Sequence, residues 1–170
     1  MFDVSRFLVG FFGLVVVPFA VYLGVTLTAL RQSSQGAGML RLRSCIAMYF
    51  LGVFTPLAWL SWGDGWGLRM TLQYGPPVHF PTIQVAGFIV TAVLGACYAA
   101  WTAAPHKLHI YVVGGVLAAG FATAFMLGDS FGVPAQNGVG VFACWMIVCP
   151  VTVVLGGVAR RVKQWRRGGA

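Results

Sequence analysis

The sequence predicts an all-α polytopic membrane protein, with five transmembrane helices in one bundle. Apolar residues make up 59% of its 170 residues, charged residues only 8%, and the mean hydropathy is +0.85. A water-soluble domain of this size would need a far more polar surface. Five apolar stretches each approach the roughly 20 residues that a helix needs to cross a bilayer. They lie near Phe7–Leu30, Ser44–Trp62, Ile83–Thr102, Ile110–Leu127 and Val139–Val158.

The first stretch follows Arg6 but is too long for the apolar region of a signal peptide, and no cleavage site with a hydrophilic domain follows it. All five stretches are expected to be helices, because the bilayer core contains no water to satisfy open backbone groups. The loops are short and contain no linker or repeat. We therefore expect a five-helix domain over residues 1–158 and a basic tail over residues 159–170.

The basic residues predict the orientation, because Lys and Arg favour cytoplasmic loops. Nine lie on one side of the predicted path: Arg31, Arg41, Arg43, Lys107, Arg160, Arg161, Lys163, Arg166 and Arg167. The other side carries only Arg6 and Arg69, together with the three acidic residues Asp3, Asp64 and Asp129. This asymmetry places the N-terminus outside, the C-terminus in the cytoplasm and the chain in the plasma (inner) membrane.

Rows of small residues mark the third and fourth spans. They include Ala92, Ala96 and Ala100 in the third span and Gly114, Ala118 and Ala122 in the fourth. Such rows let neighbouring helix backbones approach closely, which predicts a tight antiparallel pair. A seam between copies, or a dock for another subunit, is the alternative.

Prolines interrupt three spans, at Pro18, Pro56 and Pro150. Each removes a backbone donor and leaves a carbonyl one turn earlier without its usual partner. Broken helices occur in transporters, but proline is also common in membrane helices in general.

Aromatic residues gather in the longest outer loop and basic residues in the C-terminal tail. The loop cluster comprises Trp59, Trp62, Asp64, Trp66 and Tyr74, and the tail carries Arg160, Arg161, Lys163, Trp165, Arg166 and Arg167. Tryptophan and tyrosine favour the headgroup level, so anchoring is the first interpretation of the loop and a platform for an outer partner the second. The tail is expected to bind anionic lipid, with an acidic cytoplasmic partner as the alternative.

Reactive groups are few, and no catalytic, metal or cofactor site is predicted. The four cysteines form no CxxC motif, and buried thiols without a nearby cation are usually packing residues. His79, His106 and His109 are expected in loops, where they cannot hold a haem between helices. The cytoplasmic side has no carboxylate. Nucleic-acid binding is not expected, since the positive charge is explained by topology.

Two function classes remain. The first is a non-catalytic subunit or assembly partner of a larger membrane complex, which the tight-packing faces and the scarcity of reactive groups favour. The second is a small oligomeric channel or permease for a neutral or apolar solute, which the three prolines and the glycine-rich spans favour. A membrane enzyme is a distant third.

Overall fold

Among the residues that the structure describes, five helices are long and apolar enough to cross a membrane, as the sequence predicts. The structure, a computed structural model, describes residues 2–32, 42–63, 65, 67–77, 79–103, 107–132 and 138–168, which contain helices and loops but no strand. The elements are α1 (Val4–Gly10), a π-helical segment (Phe11–Val16), α2 (Val17–Gln32), α3 (Leu42–Leu60), α4 (Leu68–Tyr74), α5 (Thr82–Ala103), α6 (Lys107–Asp129) and α7 (Gly138–Gly168). The first predicted span consists of α1, the π segment and α2.

Helix α6 lies at the centre of the bundle. In its most apolar 18-residue stretch 83% of the residues are buried, against 6% in the first span and 28% in α7. It contacts α2, α3, α5 and α7, most extensively α7 and α3. The axis of the bundle is therefore occupied by a helix that other helices surround.

Three glycines of α6 point at three different neighbours, because successive positions on a helix are rotated by about 100°. A Cβ placed on Gly114 would lie 3.4 Å from the Cys149 carbonyl oxygen of α7. One on Gly115 would lie 2.5 Å from the Tyr22 ring of α2, and one on Gly120 would lie 2.9 Å from the Cα of Gly52 on α3. Small residues on several sides thus let several helices approach at once.

Helix α5 meets a different side of α6, through aromatic rings. The Phe88 ring lies 6.0 Å from the Phe121 ring and 6.4 Å from the Phe125 ring, centroid to centroid. The second span also makes backbone contact with α6, at Gly52. The tight antiparallel pairing of the third and fourth spans stays a prediction.

Opposite ends of the bundle have different character. Arg6 on α1 pairs with Asp129 at the end of α6, so the start of α1 and the end of α6 lie together. We call this the acidic end. Helix α5 starts there, because Phe88 packs against Phe125 near the end of α6, and α3 finishes there, because the Trp59 ring packs on Gly87 of α5. The other end, where Lys163 of α7 contacts Trp101 of α5, is the basic end.

Two helices differ in extent from the sequence prediction. The segment between α3 and α5 contains the seven-residue helix α4, and α7 continues through the basic tail to Gly168 as one helix of 31 residues. Residues 159–167 are mostly good helix formers and include neither glycine nor proline, so no residue stops the helix at the predicted end of the span. At about 1.5 Å per residue α7 is roughly 46 Å long, well beyond a hydrocarbon core of about 30 Å.

Candidate functional site

A charged clasp joins the N-terminus to the end of α6. The Arg6 guanidinium donates from Nη2 to Asp129 Oδ1 at 2.9 Å and from Nε to Asp129 Oδ2 at 3.2 Å. The Asp129 side chain is only 8% exposed. The two parallel hydrogen bonds fix the relative orientation of the two side chains. Without the opposite charge of Arg6, the buried Asp129 carboxylate would be strongly destabilising. The clasp thereby holds α1, which has few other contacts, against the central helix.

Asp3 fixes the start of α1 beside this clasp. Its side chain accepts a hydrogen bond from the backbone N–H of Arg6 at 3.0 Å and one from the Ser5 hydroxyl at 2.6 Å. The Arg6 N–H, and then the Ser5 hydroxyl, hold the pKa of the Asp3 carboxyl below its ordinary value. The Asp3 N–H also donates to the Ser130 carbonyl at 2.9 Å, so the N-cap of α1 is tied directly to α6.

The predicted aromatic cluster divides into buried and exposed members. Trp59 is half-buried, with its ring against Gly87, while Trp62 and Tyr74 are 46% and 57% exposed. Asp64 and Trp66 lie outside the described residues.

The loop after α4 folds inward over the acidic end. Gly75, Pro76 and Pro77 are all buried. Gly75 has a φ of +92° and packs against the Phe131 side chain, so a Cβ there would meet both backbone strain and the Phe131 ring. The Thr71 hydroxyl donates to the Ser61 carbonyl oxygen and ties α4 to the end of α3. The loop therefore covers the helix ends at the acidic end of the bundle.

Gln84, in the first turn of α5, is the functional candidate that sequence reasoning missed. It is 1% exposed, and its Nε2 and Oε1 atoms have no hydrogen-bond partner among the residues that the structure describes. Burial of an amide without hydrogen bonds costs about 2–7 kcal/mol relative to water. The available signal was a polar residue in the first turn of an otherwise apolar span.

The small residues predicted to pack lie mostly in the interior. Ala92 is half-buried, whereas Ala96, Ala100, Gly114, Ala118 and Ala122 are buried. Hydrogen bonds between helices accompany them: the Tyr22 hydroxyl donates to the Tyr111 carbonyl at 3.0 Å, and the Tyr49 and Thr123 hydroxyls lie 2.9 Å apart. Because the Thr123 hydroxyl donates to the Ala119 carbonyl, Tyr49 is the donor of that second pair.

The three prolines have different surroundings. Pro56 is buried, Pro18 half-buried and Pro150 exposed, and α3 and α7 continue as helices through theirs. Pro18 follows the π segment, in which the Val17 N–H bonds to the Phe12 carbonyl five residues earlier.

The Leu14 carbonyl, which Pro18 leaves without a backbone donor, accepts a hydrogen bond from another helix. Pro18 cannot donate to the Leu14 carbonyl oxygen, and the Trp145 indole N–H of α7 donates to that oxygen at 3.1 Å. This is the way in which neighbouring helices satisfy a proline-freed carbonyl in a membrane. The bond therefore gives Pro18 a structural explanation.

At the basic end, Lys163 holds the tail helix against α5, while other tail residues are exposed. Lys163 Nζ lies 4.4 Å from the centroid of the Trp101 ring and donates to the Trp101 carbonyl at 2.6 Å. Arg160 is half-buried, Arg161 and Arg166 are exposed, and Trp165 is 81% exposed. The Arg167 side chain lies outside the described residues. Arg161, Trp165 and Arg166 thus leave an exposed basic and aromatic surface on the tail helix.

The histidines and cysteines are dispersed. His79 is exposed, His106 lies outside the described residues, and Cys144 and Cys149 are buried. His109 was expected in a loop but is a buried residue of α6, because the helix begins at Lys107, soon after Pro105. Within the described ranges no three His, Cys, Asp or Glu side chains are placed to hold a metal ion.

Comparisons with protein-family models, curated proteins and solved structures give no match to this chain. The function is therefore inferred from its own residues.

Proposed function

We propose that this chain is a non-catalytic subunit or assembly partner of a larger membrane complex. The observation that carries the proposal is the position of α6, which occupies the bundle axis with Leu117, Ala118 and Ala122 at 0% exposure. A solute path through one copy would have to run along that axis. Tight packing there favours a structural role, and a channel or permease would need its path between copies.

The face that we assign to a partner lies on α2. Ala20, Gly24 and Thr28 follow one another at intervals of four, and all three are exposed. Nothing within the described chain lies within 4 Å of a Cβ built on Gly24. Small residues give no advantage against lipid but allow another helix to approach closely, which supports contact with a helix of another subunit or of a second copy.

We further propose that the acidic end faces outward, that the basic end faces the cytoplasm, and that the membrane is the plasma (inner) membrane. The nine-to-two distribution of Lys and Arg supports this orientation. The tail then lies at the inner headgroups, where each basic residue contributes about 1 kcal/mol of attraction to anionic lipid. Lys163 holds the helix against α5, which leaves Arg161, Trp165 and Arg166 turned toward the lipid surface.

The experiment is purification in mild detergent followed by mass spectrometry of the wild type and two variants. Gly24→Leu fills the small-residue face at a position where a Cβ has nothing of the described chain within 4 Å, and should remove partner subunits that co-purify in stoichiometric amounts with the wild type. Val25→Leu, at an adjacent position that is 68% exposed, is the control and should retain them. A lone homo-oligomer in the wild type would support the channel or permease, and retention of partners by Gly24→Leu would exclude this face.

A further inference from the structure

The Gln84 side-chain amide is buried at the acidic end without a hydrogen-bond partner among the described residues. A glutamine in the first turn of a membrane helix can reach interfacial water, yet Gln84 is 1% exposed, with both polar side-chain atoms unpaired among the described residues. Buried polar groups in native proteins are nearly always hydrogen-bonded, so an exception needs an explanation. A bound molecule that hydrogen-bonds the amide would supply that explanation.

The surroundings of Gln84 are set by its position on α5. Gly87 and Phe88 follow it at three and four residues, so they lie on the same face of the helix one turn further from the acidic end. The Trp59 ring of α3 packs on Gly87, and the Phe88 ring packs against Phe125 of α6. Gln84 therefore occupies the turn next to an aromatic layer, at the end of the bundle that the buried Gly75–Pro77 segment covers.

Charge at this end limits what the amide can bind. Asp129 is buried but paired with Arg6, and Arg69 is exposed on α4. The buried Ser130 hydroxyl donates to the Met126 carbonyl. An ion beside Gln84 would lose its hydration without an unpaired opposite charge among these residues to replace it, which is strongly unfavourable. A molecule bound to the Gln84 amide would therefore be uncharged.

We propose that Gln84 is the hydrogen-bonding residue of a buried site for a small uncharged molecule that carries a donor beside an acceptor, as a carboxamide does. Nε2 donates to the carbonyl oxygen of the ligand while Oε1 accepts from its N–H, so one carboxamide pairs with both atoms. The aromatic layer supplies apolar walls, and a few polar groups among such walls are typical of small-molecule sites. The site lies within one chain, so it is independent of the proposed partner contact on α2.

Acetamide is the probe, titrated into the purified full-length protein while thermal unfolding is followed. The wild type should show a saturable rise in unfolding temperature. N,N-Dimethylacetamide, which lacks N–H donors, and acetate, which is charged, should have smaller effects or none. Gln84→Met keeps the length of the side chain but removes both hydrogen bonds, and should weaken acetamide binding about tenfold or more. Gln73→Met, at an exposed position on α4, is the matched control and should bind acetamide like the wild type.

Three results would overturn the proposal. The first is no saturable effect of acetamide on the wild type, which would indicate that only ordered water hydrogen-bonds the Gln84 amide. The second is equal binding of acetamide by Gln84→Met and the wild type. The third is an equal effect of acetamide and N,N-dimethylacetamide on the wild type, which decides the question even where Gln84→Met does not fold.

Discussion

Replacement of Gly52 by alanine tests whether backbone contact between α3 and α6 holds the bundle together. The added Cβ would lie 2.5 Å from the Leu117 carbonyl oxygen and 3.0 Å from the Cα of Gly120. Ordinary contacts begin at 3.4 Å, so the two helices must separate by roughly 1 Å. Neither neighbour is a flexible side chain that can turn away, because both atoms belong to the backbone of the central helix.

We expect Gly52→Ala to lower the free energy of unfolding by about 1–3 kcal/mol, the usual cost of overpacking a close-packed interior. That corresponds to a fall of roughly fivefold to more than a hundredfold in the ratio of folded to unfolded protein. Gly24→Ala is the matched control, since nothing in the described chain lies within 4 Å of its Cβ position. Alanine is the better helix former, so the control should be neutral or slightly stabilising.

The assay is reversible unfolding of the purified protein in mixed micelles, with helical circular dichroism as the signal. Gly120→Ala approaches the same contact from the other helix, toward the Tyr49 carbonyl and the Gly52 Cα, and should cost a similar amount. If Gly52→Ala and Gly120→Ala were as stable as Gly24→Ala, α3 would not lie against α6 as described.

Three further predictions concern the ends and the first span. Trp145→Phe should lower stability by about 1 kcal/mol because it leaves the Leu14 carbonyl unpaired, and Pro18→Ala should recover part of the loss in thermal unfolding by restoring a backbone donor. The pKa of the Asp3 carboxyl is lower in the folded protein than its ordinary value of 3.8, so the ionised Asp3 stabilises the fold at pH values above 3.8. This stability is lost as the pH falls through the lower folded pKa. Asp3→Asn, which does not titrate, should flatten that part of a pH-stability profile, and identical profiles would exclude the effect. Reporter fusions after Ala170 should be active only in the cytoplasm and fusions near Tyr74 only outside, and any other pattern would reverse or break the proposed orientation.

The number of long apolar helices could be predicted because hydrophobic length is a property of each segment alone. Helix α4 could not, since its seven residues are too few to form a stable helix by themselves and depend on contacts such as that of Thr71 with Ser61. The π segment and the indole partner of the Leu14 carbonyl depend in the same way on where α7 lies. The burial of Gln84 was equally hidden, because its position in the chain does not reveal which way the first turn of α5 faces.

The centre of the bundle was nevertheless encoded in α6. The sequence prediction used the row that begins at Gly114, and Gly115 and Ala119 form a second row beside it. Gly120 and Ala124 form a third row, on another side of the same helix. A lipid-facing helix has no use for small residues on three sides, whereas a helix that three neighbouring helices approach closely requires them. The neighbours at Gly114, Gly115 and Gly120 are α7, α2 and α3, and the remaining side, which carries Phe121, meets the rings of α5. The number of helix sides that carry small residues therefore distinguishes a central helix from one member of a pair. The total number of small residues does not.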